Sequence, residues 1–165
     1  MSGRGNQLTK QVGEFLVAAE LARRGWLAAV LSGNTPDYDL VATDGRGRSV
    51  LVQVKAIRKG TWQFDVARYV DIKFDRKKQI PGRLKRLSVN PVCVLAVVGD
   101  VGEADQYFVL PMRTLQRRIV NHHRSWLKAH GWVRPKNPLS THSALTVEQV
   151  EDCRDNWGEI AKAAS

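Results

Sequence analysis

Four side chains in the first third of the chain are of types that could together bind a metal ion. Glu14 lies in a segment with helical periodicity, Asp39 precedes a short apolar run, and Gln53 and Lys55 lie two residues apart in a longer one. A carboxylate among packing residues is costly to bury without a cation or donors, so Glu14 requires a partner. Because carboxylate and amide oxygens are ligands that Mg²⁺ or Mn²⁺ accepts, we expect a pocket where Asp39, Gln53 and Glu14 hold a divalent cation.

The same pattern gives the lysine a role in catalysis. A bound divalent cation polarises a phosphodiester and lowers the pKa of a bound water. Lys55 would then orient or help deprotonate the attacking water and offset charge on the phosphorane. Each residue alone has an ordinary alternative: an acid paired with a nearby arginine such as Arg24, an aspartate in a turn, or an edge-strand lysine. Their joint order along the chain favours the catalytic interpretation.

The first helix must present Glu14. Helical periodicity predicts this helix over residues 7–24, with Gly25 in the position that commonly follows a helix end. Glu14 falls inside the wider apolar arc, so it is expected to face the fold. The centre of the predicted packing face consists of Leu8, Val12, Phe15, Ala19 and Ala22.

The other three candidate residues depend on a pair of strands. A short strand is predicted over residues 39–42, and the turn at Asp44-Gly45 would lead into a longer strand over residues 49–57. Alternation of side chains places Gln53 and Lys55 on one face of that strand. Since the turn returns the second strand beside the first, both side chains would lie alongside the aspartate.

The remaining pattern predicts further strands, a turn and two C-terminal helices. We expect a turn at residues 33–36, strands over residues 26–32, 62–66, 92–98 and 106–110, a partly helical basic stretch over residues 75–87, and helices over residues 112–130 and from Thr146, where Thr146 and Gln149 form a capping box.

The motif set resembles that of the PD-(D/E)xK nuclease superfamily. The resemblance is carried by Gly13-Glu14, by Pro36-Asp37-Tyr38-Asp39 before an apolar strand, and by Gln53-Val54-Lys55. The last of these is most similar to the branch containing group I intron homing endonucleases and some restriction enzymes, where Gln replaces the usual acid. The resemblance implies an α/β fold with a restriction-endonuclease-like core, in which a central mixed β-sheet is flanked by helices, followed here by C-terminal helices.

The resemblance also implies a role for each residue. Asp39, which leads directly into the apolar strand, matches the metal-binding aspartate better than Asp37 does. Lys55 matches the catalytic lysine, Gln53 the variable second ligand and Glu14 the helical acid. A neutral amide binds a hard cation more weakly than a carboxylate, so Gln53 also motivates an alternative, a non-catalytic nucleic-acid-binding protein on the same fold.

Positive charge is concentrated after these motifs. The 165 residues include 26 Lys and Arg against 16 Asp and Glu, a formal net charge of +10, and residues 56–89 alone contain 10 basic and 3 acidic residues. Such a block suits phosphate neutralisation, with double-stranded DNA the expected partner, although a solvated face is the ordinary alternative. Trp62 and Tyr69, interleaved with the block, are candidates for contact with bases. The predicted nucleic-acid-binding residues are Arg58, Lys59, Arg68, Lys73, Arg76, Lys77, Lys78, Arg83, Lys85 and Arg86.

The composition of the chain limits the classes of protein to which it could belong. With 43% hydrophobic and 25% charged residues, the chain has the composition of a globular protein and not of a disordered one. We expect a single domain over residues 1–165, with a nuclease-like core over 1–110 and a helical extension over 111–165. No apolar run approaches the ~20 residues that span a bilayer, and a cytoplasmic location is expected. Trp126, Trp132 and Trp157 are predicted core residues, and the histidines, including His123, are predicted on helix surfaces.

Three functions remain open from the sequence. The leading one is a Mg²⁺- or Mn²⁺-dependent DNA endonuclease, expected to be a homodimer or higher homo-oligomer because one such site cuts one strand. The second is the non-catalytic binding protein. The third is an interaction subunit in which residues 111–165 dock a partner.

Overall fold

A computed structural model describes residues 3–32 and 37–165. The predicted turn at Gly33–Pro36, including the proline of the Pro36-Asp37 motif, lies outside the described residues. The elements are α1 (Gly3–Arg23), β1 (Leu27–Val30), β2 (Leu40–Thr43), β3 (Ser49–Ile57), β4 (Trp62–Asp65), β5 (Val70–Asp75), β6 (Lys78–Leu84), β7 (Val92–Val97), β8 (Gln106–Pro111), α2 (Met112–Ala129), β9 (His142–Leu145) and α3 (Gly158–Ala163), with short 3-10 helices at Val66–Arg68 and Glu148–Cys153.

A five-stranded sheet with the order β1-β2-β3-β7-β8 forms the centre of the fold. Only the β3–β7 pair is parallel, and the other neighbours are antiparallel. Residues of α1 and α3 pack on the sheet in one hydrophobic core with the inward-facing valines of β3. The predicted architecture, a mixed central sheet flanked by helices, is confirmed.

Helix α1 forms where it was predicted, but it packs with a different face. The predicted packing residues Leu8 and Phe15 are 50% and 56% exposed, whereas Val17 and Leu21 are completely buried. The reason is Gly13, where an added Cβ would lie 2.4 Å from the Cβ of Ala56 on β3. The helix therefore approaches the sheet along the side that contains Gly13, which turns Leu8 and Phe15 outward.

The chain divides into two compact units. The first contains residues 1–62, 89–112 and 146–165, and the second contains residues 63–88 and 113–145. The last twenty residues return to the unit that contains the central sheet.

The second unit contains an antiparallel hairpin where a partly helical stretch was predicted. Strands β5 and β6 pair with Asp75 opposite Lys78, so Arg76 and Lys77 form the turn. Val70, Ile72 and Phe74 alternate with polar residues, as strands require. The helical prediction for residues 75–87 was wrong, because Lys78–Leu84 pair with β5 as a strand in which Gln79 is buried between exposed neighbours.

The predicted C-terminal helices differ in their outcome. Helix α2 lies within one residue of the predicted 112–130 range. Only one of the two hydrogen bonds of the predicted capping box is seen among the described residues: the Thr146 amide donates to Oε1 of Gln149 at 2.9 Å, but the helix that follows has Val147 as its N-cap, without a side-chain cap. The last helix is instead divided into the 3-10 helix Glu148–Cys153 and α3. Asp155, with φ of 48°, lies in the break.

Among the described residues, none of the helices combines the length and the apolar character that crossing a membrane requires.

Candidate active site

Asp39 is fixed by the backbone of the neighbouring strand. Its amide donates to the carbonyl of Val52 at 2.8 Å, and its Oδ2 accepts from the amide of Val54, also at 2.8 Å. These two residues flank Gln53 on β3. The aspartate is therefore held alongside Gln53, as the predicted strand pairing required.

Lys10 forms ion pairs with both Glu14 and Asp39. The lysine Nζ lies 3.4 Å from Oε1 of Glu14 and 3.5 Å from Oδ1 of Asp39. The glutamate and aspartate side chains are only 12% and 14% exposed, whereas the lysine side chain is 57% exposed. The structure thus brings the two predicted acids to one place, around a cation from the helix that carries Glu14.

The electrostatics of this cluster reflect an excess of negative charge. Burial and the Asp39 carboxylate raise the pKa of Glu14 by more than Lys10 lowers it. Burial opposes the charge of Lys10, but Asp39 and Glu14 outweigh burial and raise the pKa of its ammonium. Two largely buried carboxylates with one lysine favour a more highly charged cation at this point.

Gln53 and Lys55 occupy the predicted positions on β3. Val52 and Val54 are buried on the core side, and the two candidate residues alternate with them on the other face. The buried thiol of Cys93, paired in register with Gln53, has a pKa raised by burial, and the charges of Lys55 and Asp39 both act on it.

Sequence reasoning missed Lys10 and misjudged the partner of Glu14. Arg24, the arginine considered for that role, instead pairs with Glu20 and lies 4.4 Å above the ring of Trp157. A Lys-Glu pair four residues apart on a helix is a recognisable spacing. It could have identified Lys10, but it could not have shown that Asp39 shares the same lysine.

The donor set fits a hard cation. Oxygens of Glu14 and Asp39 already face one positive charge, and Gln53, whose side chain has an amide oxygen, lies on β3 between the two residues that bind Asp39. Within the described residues, no group of three or more His, Cys, Asp or Glu side chains could hold a metal ion. A metal here would depend on two carboxylates, an amide and water.

The predicted basic residues are spread over both units. Arg58 and Lys59 approach the carboxylate of Asp100, at 3.4 and 3.9 Å, in the first unit. The other eight lie in the second unit. Arg68 ends a 3-10 helix, and the rest occupy the β5–β6 hairpin or the residues after it: Lys73, Arg76, Lys77, Lys78, Arg83, Lys85 and Arg86, all exposed.

Two buried glutamines hold the hairpin in place. Gln116 Nε2 donates to the carbonyls of Tyr69 and Lys85, at 2.9 and 2.8 Å. Gln79 Nε2 donates to those of Pro138 and Ser140, both at 2.8 Å. Sequence reasoning missed these clamps. The visible signal for Gln116 was a polar residue in the apolar stripe of α2.

The aromatic candidates for base contact are buried. Trp62 is 1% exposed and meets Phe108 edge-on, with ring centroids 5.6 Å apart. Tyr69 is 7% exposed and meets Phe64 in the same way. Both predictions of nucleic-acid contact were wrong, because each ring fills the core of its unit.

The other aromatic predictions also need correction. Trp157 is buried as predicted, but Trp126 is only half-buried and Trp132 is 38% exposed. His123 is buried at 1% exposure, not on the helix surface. Burial, Arg134 and His122 lower the pKa of His123 to about 4.

Comparison with known proteins gives a structural similarity and no sequence match. No protein-family model matches the chain, and no curated protein matches it.

Two solved structures are similar to the chain. One is a bacterial homing endonuclease, I-Ssp6803I, at 16% identity and a TM-score of 0.49, with 94% of this chain and 93% of that one covered. The other is Hjc, a Holliday junction resolvase from the archaeal hyperthermophile Archaeoglobus fulgidus, at 12% identity and a TM-score of 0.47, with 92% and 95% covered.

Proposed function

We propose that the protein is a divalent-metal-dependent DNA endonuclease that hydrolyses phosphodiester bonds. The observation that carries this proposal is the convergence of Glu14 and Asp39 on one cation, beside the strand that bears Gln53 and Lys55. One or two carboxylates, together with waters and substrate phosphates, are what a protein usually offers Mg²⁺. A sheet built only for stability has no need to bury both acids.

Each residue has a distinct role in the proposed reaction. Asp39, Gln53 and Glu14 would hold Mg²⁺ or Mn²⁺, which when bound supplies Lewis-acid activation of the phosphodiester and of water. Lys55 would orient the attacking water, assist loss of its proton and offset charge on the phosphorane. The backbone bonds that fix Asp39 pre-set the position of its carboxylate.

The exposed basic residues support a polyanionic substrate. Seven of them lie on the clamped β5–β6 hairpin or directly after it, where lysine and arginine can neutralise phosphates without ordering a loose loop. We propose duplex DNA as the partner and the cytoplasm as the location. Because one site cuts one strand, we also propose a homodimer or higher homo-oligomer, supported by the exposed Leu8, Phe15 and Leu27.

A plasmid-nicking assay tests this proposal. Supercoiled DNA should be nicked with Mg²⁺ or Mn²⁺ and left intact with EDTA. Asp39→Asn keeps an oxygen for the Val54 amide but removes the ligand charge, so we expect at least a hundredfold loss of cleavage. Glu159→Gln is the matched control, since Glu159 also pairs with a lysine on a helix of the first unit. Equal cleavage by Asp39→Asn and wild type would refute the proposal.

The alternative is a non-catalytic nucleic-acid-binding protein. It is favoured by the neutral Gln53 and by Lys10, which already pairs with both acids. It predicts binding whose affinity falls steeply with salt, no cleavage under any metal, and no change in DNA affinity on Asp39→Asn. Comparing cleavage with filter binding on the same proteins separates the two functions, and size-exclusion chromatography tests the assembly.

A further inference from the structure

Lys10 lies where a bound cation would lie. Its ammonium is within 3.5 Å of one oxygen from each acid, Oε1 of Glu14 and Oδ1 of Asp39. The other oxygen of Asp39, Oδ2, is engaged by the Val54 amide. The oxygens that face Lys10 are therefore the ones through which both acids would meet a metal ion at this point.

A divalent cation and the ammonium cannot share this place. Two positive charges a few ångströms apart repel strongly at a site shielded from solvent. Lys10 is nevertheless free to leave, because its side chain is 57% exposed. By contrast, the acids are largely buried and Asp39 is bound to the backbone of β3.

We propose that Lys10 is the resting occupant of the cation site and that a divalent ion binds only by displacing it. This inference rests on the proposed function, since it assigns Lys10 a role at the same metal site. A monovalent ion brings no more charge than the ammonium that it would replace, whereas a divalent ion brings twice as much. Lys10 is thus a specificity-determining residue, which favours divalent over monovalent ions and sets the concentration at which the site fills.

Calorimetric titration with Ca²⁺ and with Mg²⁺, without DNA, tests this role. Lys10→Met removes the charge and keeps the length of the side chain, so we expect the affinity for either ion to rise about tenfold. Lys10→Arg retains the charge and should bind no more tightly than wild type. Unchanged or weaker binding by Lys10→Met would overturn the inference.

Lys162→Met is the matched control for the charge removed. Lys162 is 70% exposed and pairs at 2.7 Å with Glu159, which is 16% exposed, so it reproduces the environment of Lys10 apart from a second acid. Its removal should leave metal affinity unchanged. A similar rise in both variants would show a general effect of net charge and would also overturn the inference.

Displacement can be measured directly on the wild-type protein. Acylation of lysine amines, quantified by mass spectrometry of peptides, should be slow at Lys10 without metal and several-fold faster at saturating Ca²⁺, with no change at Lys162. Equal labelling with and without metal would show that the ammonium stays in place.

The outcomes also separate this inference from the proposed function. If wild type binds the metal and Lys10→Met binds it no better, only the inference about Lys10 fails. If neither protein binds any divalent ion, the cation site itself is refuted, and metal-dependent cleavage with it.

Discussion

The two compact units each contain a buried polar cluster, and the clusters are built on opposite plans. In the second unit, Gln79 is completely buried, its amide group donates to two backbone carbonyls, and its Oε1 lies 3.1 Å from Nε2 of His123. In the first unit, two carboxylates share one exposed lysine. The Gln79 cluster is neutral, and its polar groups are used in hydrogen bonds. The cluster of Glu14, Asp39 and Lys10 has a net negative charge.

This difference predicts a structural role for the Gln79 cluster and a functional role for the cluster of Glu14 and Asp39. A satisfied neutral network makes a buried polar group inexpensive and gives it nothing further to bind. Like charges held together cost stability and persist only where the surrounding structure fixes them. We therefore expect changes in the Gln79 cluster to alter stability, and changes around Glu14 and Asp39 to alter chemistry.

The largest effect is expected from Lys55→Met. This change removes the group assigned to the attacking water while keeping an apolar stem, so cleavage should fall about a thousandfold with little change in melting temperature. Lys162→Met, at an exposed lysine outside the proposed site, should cleave at the wild-type rate. Robust nicking of DNA by the Lys55→Met variant would contradict the proposed catalytic role of Lys55.

Gln79→Leu should have the largest effect on stability. It leaves the carbonyls of Pro138 and Ser140 and the ring of His123 without their partner, at an expected cost of about 3 kcal/mol in urea-induced unfolding. Metal affinity should not change. Gln63→Leu, at an exposed position on β4, is the control and should cost far less. A small effect of Gln79→Leu on the free energy of unfolding would mean that these hydrogen bonds do not hold the hairpin in place.

The pH dependence of His123 offers a milder test of the same cluster. Its pKa of about 4 in the folded protein lies below the ordinary value of 6.5, so the unfolded chain takes up a proton first as the pH falls. Stability should therefore decline below pH 6.5 and level off below pH 4, with about 2 kcal/mol lost between pH 7 and pH 5. His123→Gln cannot titrate, and its stability should depend less on pH over this range. Parallel curves for the two proteins would contradict the prediction.

The smallest effect is expected from Gln53→Glu. A carboxylate in place of the amide binds a hard cation more strongly, so metal affinity should rise about tenfold. Gln53→Leu should weaken binding by removing the oxygen. If calorimetry shows no difference between these variants, Gln53 is not a ligand.

The sequence was most informative where local rules decide the structure. Strand β3 has the predicted bounds, Ser49–Ile57, and its alternation separates Gln53 and Lys55 from the core valines. The turn between β2 and β3 and the hydrogen bond between Thr146 and Gln149 likewise depend on neighbouring residues alone. The strand and the turn put Asp39 beside β3 and put Gln53 and Lys55 on it.

The sequence was least informative where distant residues decide. The contact of Gly13 with Ala56 chooses the packing face of α1, and no periodicity contains that information. Helical spacing alone predicted Leu8 and Phe15 in the core, where neither lies. The role of Lys10 depends on an aspartate 29 residues later in the chain, and the burial of His123 depends on the clamp made by Gln79.

Because glycine has no side chain, Gly13 sets the distance between α1 and β3 at the candidate active site. A methyl group there would be 2.4 Å from Ala56, well inside normal carbon contact, so α1 would have to move outward by about an ångström. Metal-oxygen bonds tolerate only about 0.2 Å, and Glu14 is the next residue on the helix. One added carbon atom at position 13 would therefore move Glu14 out of position for metal binding, without altering a single charge in the site.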